Sequence, residues 1–148
     1  MYTKGSKQMI QLIVGSKGSG KTKKLLQMVR EAASISKGNV VCIEKGESLR
    51  FDLSHDIRLI NIEEYRIKNA QAYYGFIAGL MAGNYDITDI FGDATFKIIC
   101  GKDIKDTEIL AGFVETLNTL IPDSVKVTLT VSCDMGDIPE RIAKYIAN

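Results

Sequence analysis

Histidine is almost absent from this chain, cysteine is sparse, and no apolar run is long. His55 is the only histidine, and Cys42, Cys100 and Cys133 stand far apart with no C-x-x-C pair. A zinc site draws on close pairs of such ligands, so none is expected. The thiols read instead as reduced, with Cys42 in an apolar strand and Cys133 at the end of another. His55 lies in Asp52-Leu53-Ser54-His55-Asp56, which reads as an exposed polar loop, and no chemistry is assigned to it. The most apolar stretch, residues 73–83, is about half of the ~20 residues that span a bilayer. Residues 1–7 lack the apolar core and cleavage site of a secretory signal. A cytoplasmic protein without a membrane segment is the expectation. No internal repeat, low-complexity segment or linker interrupts the chain.

An excess of either charge is also missing. The 19 Lys and Arg nearly balance 18 Asp and Glu, and a net charge of +1 gives no reason to expect nucleic acid as a partner. The distribution is less even than the sum. Residues 1–37 carry Lys4, Lys7, Lys17, Lys21, Lys23, Lys24, Arg30 and Lys37 against Glu31 alone, whereas 86–140 is predominantly acidic. With 148 residues and 45% apolar content, one domain spanning 1–148 is expected.

What is present in full is Gly15-Ser16-Lys17-Gly18-Ser19-Gly20-Lys21-Thr22, a complete G-x-x-x-x-G-K-[ST] string. The apolar run 9–14 before it reads as a buried strand. Residues 21–36 after it place Leu25, Leu26, Met28, Val29, Ala32, Ala33 and Ile35 on one broad helical face. Strand, glycine loop and helix start form the setting of a phosphate-binding loop. A phosphate chain needs many short hydrogen bonds at once, and backbone amides supply them only if the chain curls around the anion. Gly15, Gly18 and Gly20 permit that curl. The helix start adds unpaired N–H groups and the positive end of its dipole. The expected nucleotide-binding set is Gly15, Ser16, Lys17, Gly18, Ser19, Gly20, Lys21, Thr22 and Lys23. Lys21 would reach the β and γ phosphates, and the Thr22 hydroxyl would ligate Mg²⁺.

The remainder alternates between strand-like and helix-like segments. Strands are expected over 39–44 and 57–62, a brief extended piece over 51–54, and a helix over 68–82. One or two strand-like stretches fall within 87–99. A helical stripe over 103–120 and the clearly alternating strand 125–131 follow, then a short helix with Pro139 at its first position. This order predicts an α/β fold, a three-layer sandwich around a mainly parallel sheet. Ligands of such sheets bind beyond the carboxyl ends of the strands, which puts Gly15, Glu44, the Asp93 region and Cys133-Asp134 on one rim.

A phosphate loop that uses Mg²⁺ works with an aspartate at the end of an apolar strand. Asp93 is the best candidate, as metal ligand and as catalytic residue beside Lys21, and Asp89 is the fallback. Asp134 could hold a water, although a loop or capping acid is the plainer reading. Arg50, Arg58, Arg66 and Arg141 are possible arginine fingers, with nothing in the sequence to favour one.

The loop and the strand order resemble the P-loop NTPase superfamily, nearest its RecA-like, strand-inserted branch. The layout also resembles short bacterial ATP-binding proteins that carry a loose twitching-motility ATPase-like label. Only residues 15–22 are specific to the resemblance, which implies ATP and Mg²⁺ as cofactors. It also implies an intervening strand, here assigned to 57–62. Many members of the branch place a glutamate directly after the metal-binding aspartate, whereas Ala94 and Thr95 stand here. No [NT]-K-x-D string reads guanine, so adenine is the default, and no L-S-G-G-Q string points to a transport ATPase.

Three functions follow. The first is Mg·ATP binding with weak or partner-stimulated ATPase activity, the partner being another protein or a second copy. The second is a nucleoside-type kinase, since Asp93-Ala94-Thr95-Phe96 echoes the Asp-Glu-x-x-Phe element of thymidine kinases. The third is a non-catalytic switch whose partner face uses Tyr73 and Tyr74. The small residues 78–79 and 82–83 are read as serving close helix packing.

Overall fold

The computed structural model describes residues 9–148. Lys4, Lys7 and the 1–7 stretch weighed as a leader lie outside these residues. Five strands, β1 (Ile10–Gly15), β2 (Asn39–Glu44), β3 (Arg58–Asn61), β4 (Ile87–Gly92) and β5 (Lys126–Ser132), form one sheet. Their order is β1-β5-β4-β2-β3, and every neighbouring pair is parallel. The helices are α1 (Lys21–Ile35), α2 (Ala70–Gly83), α3 (Thr95–Ile99), α4 (Thr107–Leu120) and α5 (Glu140–Ala143). The fold is α/β, and its sheet is parallel throughout rather than mainly so.

Parallel strands are covered on both faces, which is why these segments read as near-continuous apolar runs. Strand alternation divides them between two cores. Leu12, Val14, Val41, Ile43, Ile90, Val127 and Leu129 pack with Tyr73 and Ile77 of α2, Phe96 of α3, Leu110 and Val114 of α4 and Ile142 of α5. Ile13, Val40, Cys42 and Phe91 pack on the other face with Leu25 and Val29 of α1. Both sheet edges are managed. Along β1, Leu12 N donates to Tyr145 O at 2.8 Å and Ala147 N donates to Leu12 O at 2.9 Å, so residues 145–148 cover that edge. The other edge strand, β3, has only 4 residues.

Several sequence expectations need correction. Of the one or two strand-like stretches expected within 87–99, one forms: β4 stops at Gly92, Ala94 takes the left-handed conformation (φ 53°), and Thr95–Ile99 is helical. Thr-Phe-Lys-Ile-Ile looked strand-like because α3 is buried on nearly every side, with only Lys97 outward. Residues 51–54 form turns. The third strand is an edge strand outside β2. The strand inserted in space between the loop strand and the Asp93 strand is β5. Tyr73 is not a surface residue: it is fully buried and stacks on Phe113 at 5.2 Å between ring centroids. Nor do the glycines of α2 serve close packing, since a Cβ added at Gly75, Gly79 or Gly83 would meet nothing within 4 Å.

Candidate functional site

All five strands present their carboxyl ends to the same rim, and the glycine loop leaves it from β1. Within the loop, Ser19 N donates to Ser16 O at 3.1 Å, and Gly18 (φ 82°) and Gly20 (φ 89°) both take left-handed conformations. A side chain at Gly15 would collide with Ser19, its Cβ only 2.5 Å from the hydroxyl oxygen. Lys21 Nζ donates to Ser16 O at 2.9 Å and so braces the curl from within. The first bond of α1 runs from Lys24 N to Gly20 O, 3.0 Å. The amides of Lys21, Thr22 and Lys23 therefore precede the helical ladder. No side chain caps this helix start and no acid occupies its first turn, which leaves amides and dipole open toward an anion.

Two strands away, β4 delivers Asp93 to the same place. Thr22 Oγ1 donates to the Asp93 carboxylate, 3.1 Å from Oδ2 and 3.4 Å from Oδ1. On the other side, Thr130 Oγ1 of the intervening strand β5 donates to Asp93 Oδ1 at 2.5 Å. The same Thr130 oxygen accepts Ala94 N at 2.9 Å, and Asp93 N donates to Ile43 O at 2.9 Å. The aspartate is thus fixed in backbone and side chain before any ligand arrives. Asp89 is not an alternative here, because it sits four residues back along β4, about 13 Å away at strand rise, and accepts from Thr88 Oγ1.

No protein-family model matches the chain, and no curated protein matches it.

What the residues can do is therefore read from their own chemistry. Loop, Thr22, Asp93 and Thr130 border a cleft of about 700 Å³. It takes six lysines, Lys17, Lys21, Lys45, Lys97, Lys102 and Lys105, against Glu63, Asp93 and Asp103. An electropositive, open cleft around a curled loop suits a polyanion. Burial lowers the Lys21 ammonium below its usual range, the Asp93 carboxylate opposes that shift, and Lys105 reinforces it. Among the described residues no group of three or more His, Cys, Asp or Glu could hold a metal by itself. One hydroxyl and one carboxylate are nonetheless the donor set Mg²⁺ uses when phosphates and water complete its octahedron. Thr22 and Asp93 fit that ion as partners of a bound polyphosphate.

The other residues proposed from sequence lie elsewhere. Glu44 is buried, but its oxygens accept Ser48 Oγ (3.0 Å) and Leu49 N (3.1 Å), so it fixes the turn after β2. Asp134 is exposed and does not line the cleft. None of the four arginines reaches the cleft. Arg50 pairs with Glu47 and lies over Phe51, Arg141 pairs with Glu108 and Glu115, and Arg58 and Arg66 are exposed at and beyond the sheet edge. Sequence reasoning missed Thr130 and the lysines of the far wall. Thr128 and Thr130 alternate with Val127, Leu129 and Val131 along β5, and the structure buries both threonines.

Proposed function

We propose that the protein is a P-loop nucleoside triphosphatase of the strand-inserted kind that binds Mg·ATP and hydrolyses it slowly. The observation that carries this reading is the meeting of the Thr22 hydroxyl and the Asp93 carboxylate beside an uncapped, glycine-curled helix start. The open amides and Lys21 bind the phosphate chain. Thr22 and Asp93 would hold Mg²⁺, which when bound would supply positive charge to the phosphate chain. Thr130 keeps Asp93 in place. The position of β5 between β1 and β4 supports the strand-inserted assignment. Adenine is favoured by the lack of a guanine-reading string, and slowness by the lack of a carboxylate directly after Asp93.

Phosphoryl transfer to a small acceptor is the second reading, favoured by the extent of the cleft. It continues past the loop to Lys45, Glu63, Phe96 and Lys97, enough room for a second small molecule. The switch reading loses Tyr73 from its face, because that residue is buried, and keeps Tyr74, which is half-buried. Among the described residues, no helix is long and apolar enough to cross a membrane.

The test is calorimetry with Mg·ATP, followed by phosphate release with and without candidate nucleosides. Binding with acceptor-independent release is expected, and acceptor-dependent transfer selects the kinase reading. Lys21→Ala should reduce ATP affinity by about tenfold or more, the worth of a charge-assisted phosphate contact. Absence of heat from the unaltered protein at millimolar Mg·ATP overturns the assignment.

A further inference from the structure

The cleft has two walls. The glycine loop contributes to one, and the segment 101–105, Gly101-Lys102-Asp103-Ile104-Lys105, lines the same cleft. This segment is shaped rather than slack. Gly101 (φ 95°) and Asp103 (φ 61°) are both left-handed, and the chain then enters α4 through Asp106, whose side chain accepts Glu108 N at 3.0 Å and Ile109 N at 3.1 Å. Lys105 is therefore the residue immediately before the Asp106 cap of α4. Its side chain is exposed, and neither it nor Lys102 forms an ion pair among the described residues.

Lys105 is also near enough to Lys21 and Cys133 to influence both electrostatically. Both lysines line the same cleft, and their like charges repel each other unless an anion arrives. Lys21 has Asp93 near it, whereas Lys105 has no such counter-charge in an ion pair. The space they share is where the loop would present the end of a phosphate chain. Catalysis of phosphoryl transfer needs a cation at that end, commonly an arginine from a partner. This chain has no arginine in the cleft.

We infer that Lys105, carried on the 101–105 segment, contacts the terminal phosphate opposite Lys21, so that the same chain supplies the charge otherwise sought from a partner. The inference rests on the Mg·ATP reading above and extends it to recognition of the γ-phosphate. Lys105 would distinguish triphosphate from diphosphate, because only the former extends beyond the loop.

The experiment compares Mg·ATP and Mg·ADP affinities by calorimetry for the unaltered protein, Lys105→Ala, Lys105→Arg and Lys21→Ala. Folding is checked by thermal melting. The unaltered protein should prefer ATP by about tenfold or more, the worth of one charge-assisted contact. Lys105→Ala should lower that preference about tenfold, the Lys21 contact remaining, while leaving ADP affinity within about twofold. Lys105→Arg should restore the preference, and Lys21→Ala should weaken both nucleotides. Equal affinities in the unaltered protein, or a preference undiminished by Lys105→Ala, overturn the role of Lys105 while leaving nucleotide binding intact. A preference that grows with protein concentration places the cation on a second copy and overturns the same-chain assignment. If neither nucleotide binds, the underlying reading fails, and this inference with it.

Discussion

Asp93 is held between two threonine hydroxyls, and each contact can be removed with little change of volume. Thr130 Oγ1 donates to the carboxylate and accepts Ala94 N, so Thr130→Val deprives both groups at once. A partly buried amide left without its acceptor costs about 1–3 kcal/mol, and urea unfolding should register that loss. The same variant should raise the Mg²⁺ concentration needed for nucleotide binding by about tenfold, the usual effect of freeing a metal-orienting ligand. Asp93→Asn removes the charge itself and should raise the requirement at least as far. A Mg²⁺ titration that is identical in all three proteins would remove Asp93 from the metal site.

At the scale of elements, glycine separates positions that the sequence alone cannot rank. Gly79 lies within α2 at an exposed position, and an added Cβ meets nothing within 4 Å. Gly79→Ala should therefore stabilise the protein by about 0.5–1 kcal/mol through helix propensity and a less free unfolded chain. Gly92, at the end of β4, is the opposite case. A Cβ there lies 2.5 Å from the Tyr73 hydroxyl oxygen and 2.8 Å from Leu129 Cδ2, so Gly92→Ala should destabilise. Shifts of the urea midpoint in opposite directions check both statements, and equal shifts contradict them. The same elements show what was legible. The loop, the apolar strands and α1 follow from local pattern, because motif and periodicity are local. The helix α3 was not legible: its composition suits a buried helix and a strand equally, and a left-handed Ala94 decides between them. The edge position of β3 and the interior position of β5, between β1 and β4, depend on long-range pairing. Lys105 was hidden for the same reason, since only the fold brings residues 101–105 to the cleft that the loop lines.

Taken as a whole, the molecule encloses acidic protons that the unfolded chain would release. Burial, with the negative charges of Asp93 and Glu44 nearby, pushes the Cys42 thiol from its ordinary 9.0 up to about 12. Burial likewise raises Cys133, and it raises the Tyr73 phenol well above its ordinary 10.0. A group whose pKa is raised by folding keeps its proton in the native state while the unfolded chain loses it. Its contribution to stability is therefore complete below the unfolded pKa and declines as pH rises toward the folded value. Lys21, lowered by folding, works in the opposite sense and offsets part of the decline. Cys42 alone should remove about 1.4 kcal/mol of stability per pH unit above pH 9, with Tyr73 adding to the slope above pH 10. Urea unfolding at intervals from pH 7 to about 10.5 reads this slope, and Cys42→Ala isolates the thiol's share. In that variant the decline between pH 9 and 10 should be visibly shallower. Equal slopes for the two proteins would mean that water reaches Cys42 beneath α1, and that the core on the α1 face is more open than its packing implies.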